Sequence, residues 1–489
     1  MDLTVPGSVS ILDFPLSLIG QPMPGKPPNI ILTIADDQRG TAIGCVGREP
    51  VQTAAMDRLA ARGARFAQAQ HLGSCHGAIC APSRAMLHTG WPYFKLDPAL
   101  LNEHGLPRDR EVFIPPTLGQ KLRGAGYHTF ATGKWHNGAH TLHPSFDSGA
   151  NLFLGGMADH WFTPVYDFDP SGEYPLESRR LADGFSTEVF ARSAIDFIRS
   201  RKGDGQPFFC YCAFTAPHDP RTPPDAWRKQ YQPSTIPLPP NVTPGHAFNG
   251  DFWNARDGVT REEILITQAQ GRIYTRDEIL LGTPRDPNEI KRSMAEYYGM
   301  ISHMDEWIGR IHDAAAETDA LENTIIIHTG DHGLAVGQHA LMGKQNLHQH
   351  SLNVPLIMAG PGIPRGLVSD ALCYQHDLHP TLTELAGIGA PSKPFQSLTP
   401  LLEKKSTGRT HIAAAFENTQ RAIRDDRYKL IDYTLGGEKC FQLFDLQNDP
   451  WEIHDLSRDA ELGGVVETLR RELLRWQAEV GDTGTPMRG

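Results

Sequence analysis

The chain alternates short, wholly apolar runs with amphipathic stretches. "NIILTIADD" (residues 29–37) is β-branched and lacks polar alternation, the pattern of a strand covered on both faces. "GYHTFATGKWH", "PFFCYCAFTAPHD", "NTIIIHTGDHG" and "VPLIMAGPGI" repeat it, each apolar run giving way to turn residues. Between them, "TAAMDRLAARGARF", "STEVFARSAIDFIRS" and "SMAEYYGMISHMDEWIGRIHDAAAE" carry apolar residues at helical spacing. Strands alternating with helices predict an α/β fold on a large, mostly parallel sheet flanked by helices. The pattern then changes twice. Residues 219 to about 290 hold Pro clusters without a period and read as a surface excursion that walls a ligand site. From residue 392, "RAIRDDRYKLIDY" and "KCFQLFDLQNDP" read as paired strands and "AELGGVVETLRRELLRWQAEV" as an amphipathic helix. That predicts a small C-terminal α+β subdomain over 392–489, a principal domain over 27–391 and an N-terminal tail over 1–26.

Composition removes some classes of function. With 489 residues, 39% hydrophobic and 21% charged, the chain has ample core for a globular protein. A net charge of −11 argues against a nucleic-acid partner, which calls for a basic face. A local basic pocket for a small anion remains compatible with it. No apolar run approaches the roughly 18 residues of a membrane span. The N-terminus lacks a positive leader, and Asp13 and Pro15 interrupt its apolar stretch, so no secretory signal is expected. The seven cysteines, at 45, 75, 80, 210, 212, 373 and 440, are odd in number and scattered. They are no disulfide framework and predict a reducing, cytoplasmic setting. Cys210 and Cys212 are spaced to share one strand face, in the core.

Four apolar runs end in polar groups: Asp36 and Asp37, Lys134 and His136, His218, and Asp331 with His332. Each has an ordinary explanation, because Asp pairs make turns and caps and a lone His is commonly structural. Their recurrence at equivalent strand ends is what points to a site, since open α/β sheets bind ligands there. Three gathered carboxylates need a cation, and hard oxygen donors suit Ca²⁺ or Mg²⁺. Arg84, Lys134 and Lys344 supply positive charge suited to a tetrahedral oxyanion, and His136 and His218 can move protons. The nucleophile is the missing part. Taken alone, "GAICAPSRAML" (77–87) reads as a buried Cys under a helix start with Pro82 in its first turn.

"CAPSR" (80–84), followed by "GYHTFATGKWH" (126–136), resembles the paired signatures of the type I, formylglycine-dependent sulfatases, of the alkaline-phosphatase-like superfamily. "ADD" and "HTGDHG" are similar to that family's metal-binding segments, and the likeness runs from about residue 28 to about 460. It implies that a separate maturation enzyme reads the CxPSR context and oxidises Cys80 to formylglycine. The hydrated aldehyde then attacks the sulfur of a sulfate ester through one hydroxyl, while the second drives release of sulfate. It further implies Asp36, Asp37, Asp331 and His332 as ligands of one Ca²⁺ or Mg²⁺, completed by residue 80. Arg84 corresponds to the Arg holding the formylglycine hydroxyl, and Lys134 and His136 to the pair that binds sulfate and handles the diol proton. His218 and Lys344 correspond to the residues facing the leaving-group oxygen, His218 as general acid. Many relatives carry Asn where this chain has His332. Lys344 sits in a looser motif, in which His339, His348 and His350 face substrate or solvent.

Two rivals share these residues: a phosphonate monoester or phosphodiester hydrolase of the same superfamily, and an inactive binder of anionic glycans. The intact set of Cys80, Arg84, Lys134, His136, His218, Asp331 and Lys344 speaks for turnover. A carbohydrate sulfate is the expected substrate, with Arg179, Arg180, Arg221 and His160 as candidates for sugar or carboxylate contacts in or near the loop "DPSGEYPLESRRLADGFS".

Overall fold

The computed structural model describes residues 26–101, 111–243, 281, 285–389, 395–435 and 438–484. The expected tail and the middle of the Pro-rich excursion lie outside them. One eight-stranded sheet organises the chain. Its strands are β1 (Asn29–Asp36), β2 (Ala64–Phe66), β3 (His128–Lys134), β4 (Ser148–Phe153), β5 (Phe208–Pro217), β6 (Thr324–Gly330), β7 (Leu356–Ala359) and β8 (Leu367–Ser369), in the spatial order β8-β2-β7-β6-β1-β5-β3-β4. Pairing is parallel except where β7 lies antiparallel between β6 and β2, so the sheet is mostly parallel, as expected.

Both faces are covered, which explains the unbroken apolar runs. Ile31, Cys210, Cys212 and Phe214 point to helices α1 (Ala54–Arg62), α5 (Ser186–Ser200) and the 31-residue α6 (Pro287–Glu317). Ile30, Leu32, Phe209 and Tyr211 point the other way, to α2 (Cys80–Thr89), α3 (Leu118–Gly124), α4 (Ala139–Ser145) and α7 (Leu378–Leu385). Cys210 and Cys212 therefore share a core face, and all seven cysteines are free thiols.

The C-terminal strands β9 (Ile412–Phe416), β10 (Gln420–Arg424), β11 (Tyr428–Leu435) and β12 (Glu438–Asp445) form an antiparallel sheet against α8 (Gly463–Val480). A fifth strand, Gly73–Ser74, joins its edge in parallel with β9. Gly73 has φ +106°, and a Cβ there would stand 1.8 Å from the Ala415 carbonyl oxygen, so only glycine permits the pairing. Among the described residues no helix is long and apolar enough to cross a membrane.

Candidate active site

Strand register brings the polar residues together. β1 and β6 pair up to Ala35↔Gly330, so the next residues, Asp36 and Asp331, leave the sheet side by side. On the other side of β1, Asp36 pairs with Pro217, which delivers His218. β3 pairs with β5 up to Gly133↔Ala213 and ends in Lys134. Helix α2 starts at Cys80 above these ends, and all ten of its residues are buried. Ser83 Oγ donates to the Asp331 carbonyl at 2.6 Å, and Asn137 Nδ2 donates to the carbonyls of Ala81 (2.9 Å) and Leu100 (3.0 Å), fixing the first turn.

Cys80 Sγ stands 3.5 Å from Lys134 Nζ and 3.6 Å from Lys344 Nζ. Lys134 also donates to Asp36 Oδ2 at 2.5 Å and Lys344 to Asp37 Oδ1 at 2.7 Å. Arg84 reaches Asp331 Oδ2 from Nε at 3.0 Å and the Lys134 carbonyl from Nη1 at 2.8 Å. The donor atoms of Asp36, Cys80, Asp331 and His332 lie within 4.8 Å of one another, and Asp37 groups with Asp36 and His218. His332 Nδ1 is 2.9 Å from the Gly333 carbonyl, which can only accept, so Nδ1 carries a proton and Nε2 is the nitrogen turned to the cluster. Asp36 Oδ1 is buried with no hydrogen-bond partner among the described residues. Carboxylates, one imidazole and an unused buried oxygen fit a divalent cation. Of these groups Cys80 and Lys344 line a cleft of about 790 Å³, together with His136, His218, Tyr166, Glu173, Tyr174 and Arg179.

Residues 28–388 match the family model described as Sulfatase. The chain belongs to the sulfatase family. Residues 337–479 also match the model for the C-terminal region of N-sulphoglucosamine sulphohydrolase. The sulfatase is 28% identical to an arylsulfatase of Clostridium perfringens, over 92% of this chain and 94% of that one. It is 26% identical to an N-acetylglucosamine-6-O-sulfatase of Bacteroides thetaiotaomicron, over 94% of this chain and 87% of the relative. Its fold matches a protein solved in complex with its substrate D-glucosamine-2-N,6-O-disulfate, at TM-score 0.74 and 23% identity, covering 95% and 100% of the two chains. It is thus an enzyme of sulfate-ester hydrolysis with the alkaline-phosphatase-like sheet.

Electrostatics in the sulfatase follow from burial among unlike charges. Burial pushes the Cys80 thiol up, but Lys134, Lys344 and His136 together outweigh it and hold the thiol well below its ordinary value. Burial and the neighbouring Asp331 raise Asp36 against the pull of Lys134. Burial lowers His218 despite Asp37. Burial and Lys344 push His332 down, but Asp331 and Asp37 prevail and raise it.

Other candidates divide. Arg179 lines the cleft, whereas Arg180 pairs with Asp167 and Asn151 at the surface, and Arg221 does not line it. His160 is buried behind the site, where its Nε2 holds the His218 carbonyl at 2.9 Å. None of His339, His348 and His350 lines this cleft; they pack on one another beside Glu452. The described part of the Pro-rich excursion does not line the cleft either. It packs on α6 through the Tyr231–Ser302 hydroxyl pair and on the His339 loop through a bridge from Val242 to Gln338.

Sequence reasoning missed two supports of the site. Tyr211 OH accepts from Arg84 Nη1 at 3.2 Å, and period-two alternation with Cys210 and Cys212 does place it on the face toward α2. Gly156 accepts from Lys134 Nζ at 2.6 Å through its carbonyl, and a Cβ there would stand 2.5 Å from His136 Nε2. No sequence signal marks it.

Proposed function

We propose that this sulfatase desulfates a carbohydrate, with residue 80, matured from Cys to formylglycine, supplying the attacking oxygen as its hydrate. The observation that carries this reading is Cys80 itself, buried between two lysine ammonium groups at the floor of an open cleft. A hard divalent cation, Ca²⁺ or Mg²⁺, held by Asp36, Asp37, Asp331, His332 and residue 80, supplies Lewis-acid stabilisation of negative charge when bound.

The chain's own residues do the rest. Lys134 and Lys344 bracket the reacting position and bind the sulfate oxygens. Arg84 fixes Asp331 and, through the Lys134 carbonyl, the end of β3, so residue 80 and its partners keep one geometry. His136, on the cleft wall next to residue 80, manages the proton of the attacking hydroxyl. His218 Nδ1 is 2.7 Å from the Asp219 carbonyl and keeps a proton there, so Nε2 is the nitrogen that, in the imidazolium form, gives its proton to the departing oxygen and ends neutral. The cleft suits a sugar ring in size, and Glu173, Arg179 and the two tyrosines give it polar and stacking contacts. The N-acetylglucosamine-6-O-sulfatase relative supports the same class.

The test joins two measurements on protein co-produced with a formylglycine-generating enzyme. One is the mass of the peptide containing Cys80. The other is sulfate release from an aryl sulfate and from 6-sulfated N-acetylglucosamine, with a phosphonate monoester as counter-substrate. A peptide lighter by the thiol-to-aldehyde difference, together with sulfate release, is the expected result. Hydrolysis by protein with unmodified Cys80 would overturn the mechanism, and preference for the phosphonate would overturn the substrate class.

A further inference from the structure

A second cluster lies outside the cleft. His339 and His348 bracket Lys344, five residues before it and four after, and both reach Glu452, which follows the C-terminal sheet. The donor atoms of His339, His348 and Glu452 lie within 4.8 Å of one another. The His339 and His348 rings stack at 4.1 Å with 13° between their planes, and His348 Nδ1 stands 3.4 Å from Glu452 Oε2. His350 lies 5.6 and 5.7 Å from these rings, nine-tenths buried, and neither of its nitrogens has a hydrogen-bond partner among the described residues. Two members occupy left-handed backbone, His339 at φ 52° and Glu452 at φ 57°, a conformation that a side chain normally avoids and that recurs at functional sites.

We propose that His339, His348 and Glu452 bind a transition-metal dication of the zinc type, which clamps the Lys344 loop to the C-terminal subdomain.

The donor set separates this site from the catalytic one. Two imidazoles and one carboxylate suit Zn²⁺, Ni²⁺ or Cu²⁺, whereas the carboxylate-rich centre suits Ca²⁺ or Mg²⁺. Outer partners hold the ligands in place, as metal sites require. The Gln349 amide donates to Glu452 Oε2 at 2.7 Å, while Asn241 Nδ2, which donates to the Trp451 carbonyl, stands 3.1 Å from His339 Nε2 in a contact that a metal on that nitrogen replaces. Lys429 Nζ donates to the other oxygen, Oε1, at 2.6 Å. Access runs through a cleft of about 610 Å³ lined by Glu452, His350, Gln338 and Asn241, with His350 at hand as a further donor.

Wild-type crystals soaked in ZnCl₂, with Ca²⁺ in excess to keep the catalytic site filled, give the direct test. The expected result is a zinc-edge anomalous peak between His339, His348 and Glu452. In solution, titration against a chromophoric chelator should show one tight zinc equivalent that the His339→Gln/His348→Gln variant lacks, and zinc should raise the thermal midpoint of the wild type alone. No peak at that position, or equal zinc uptake by the variant, would overturn the proposal. If the variant fails to fold, the anomalous map of the wild type decides by itself.

Discussion

Arg84 shows how much one side chain can carry beneath this cleft. Its guanidinium is wholly buried, pairs with Asp331, and ties the end of β3 through the Lys134 carbonyl and Tyr211. Lysine keeps the charge but offers no planar fork. Arg84→Lys should therefore cut kcat about 100-fold, the scale of two charge-assisted hydrogen bonds, in protein whose circular dichroism matches wild type. A variant within a few-fold of wild type would deny Arg84 its positioning role. Arg84 was legible from its motif, and Asp36, Lys134, His218 and Asp331 from their places at the ends of apolar runs. Gly156 was not, because its contribution is an absent Cβ next to His136, and an absence leaves no pattern along a sequence.

Elements deliver these side chains only where their ends are shaped for it. β3 shifts register against β4 between Thr132 and Gly133, where Gly133 takes φ +83° and lies against the Ala213 carbonyl, 1.9 Å from where a Cβ would sit. Gly133→Ala must push β3 off β5 and swing Lys134 away, so we expect a loss of about 2 kcal/mol or more in urea unfolding, with activity falling further than stability accounts for. At the opposite face, α1 has no side-chain cap of its own, and Asp305 of α6 accepts from the first-turn amides of Ala55 (2.9 Å) and Met56 (2.8 Å). Asp305→Ala should cost about 1–2 kcal/mol by the same assay, and an unchanged midpoint would refute the capping role. Apolar runs foretold the strands and their double burial. The reversed direction of β7 could not be foretold, because a short run of buried residues looks the same in either sense, and the same limit hid the pairing of Gly73–Ser74.

At the scale of the molecule, the early segment Gly73–Ser74 is held to the C-terminal sheet past the end of β9, where the Glu417 amide donates to the Ser74 carbonyl at 2.7 Å. Burial pushes the Glu417 carboxyl up to about 7. The folded chain then keeps a proton that the unfolded chain sheds near the ordinary value of 4.5. Its stabilising share is whole below that value and is lost as pH rises through 7. Glu417→Gln should match wild type at pH 5 and exceed it by about 1 kcal/mol at pH 8, after discounting for partial exposure, in urea unfolding at the two pH values. Parallel pH profiles would rule this out. The pairing of Gly73–Ser74 with β9 also has a consequence in time. Synthesis runs from the N-terminus, so the strand that leads into the Cys80 helix waits through more than 300 residues of translation for β9, its strand neighbour among the described residues, to emerge. The segment that leads into Cys80 is made early and anchored late.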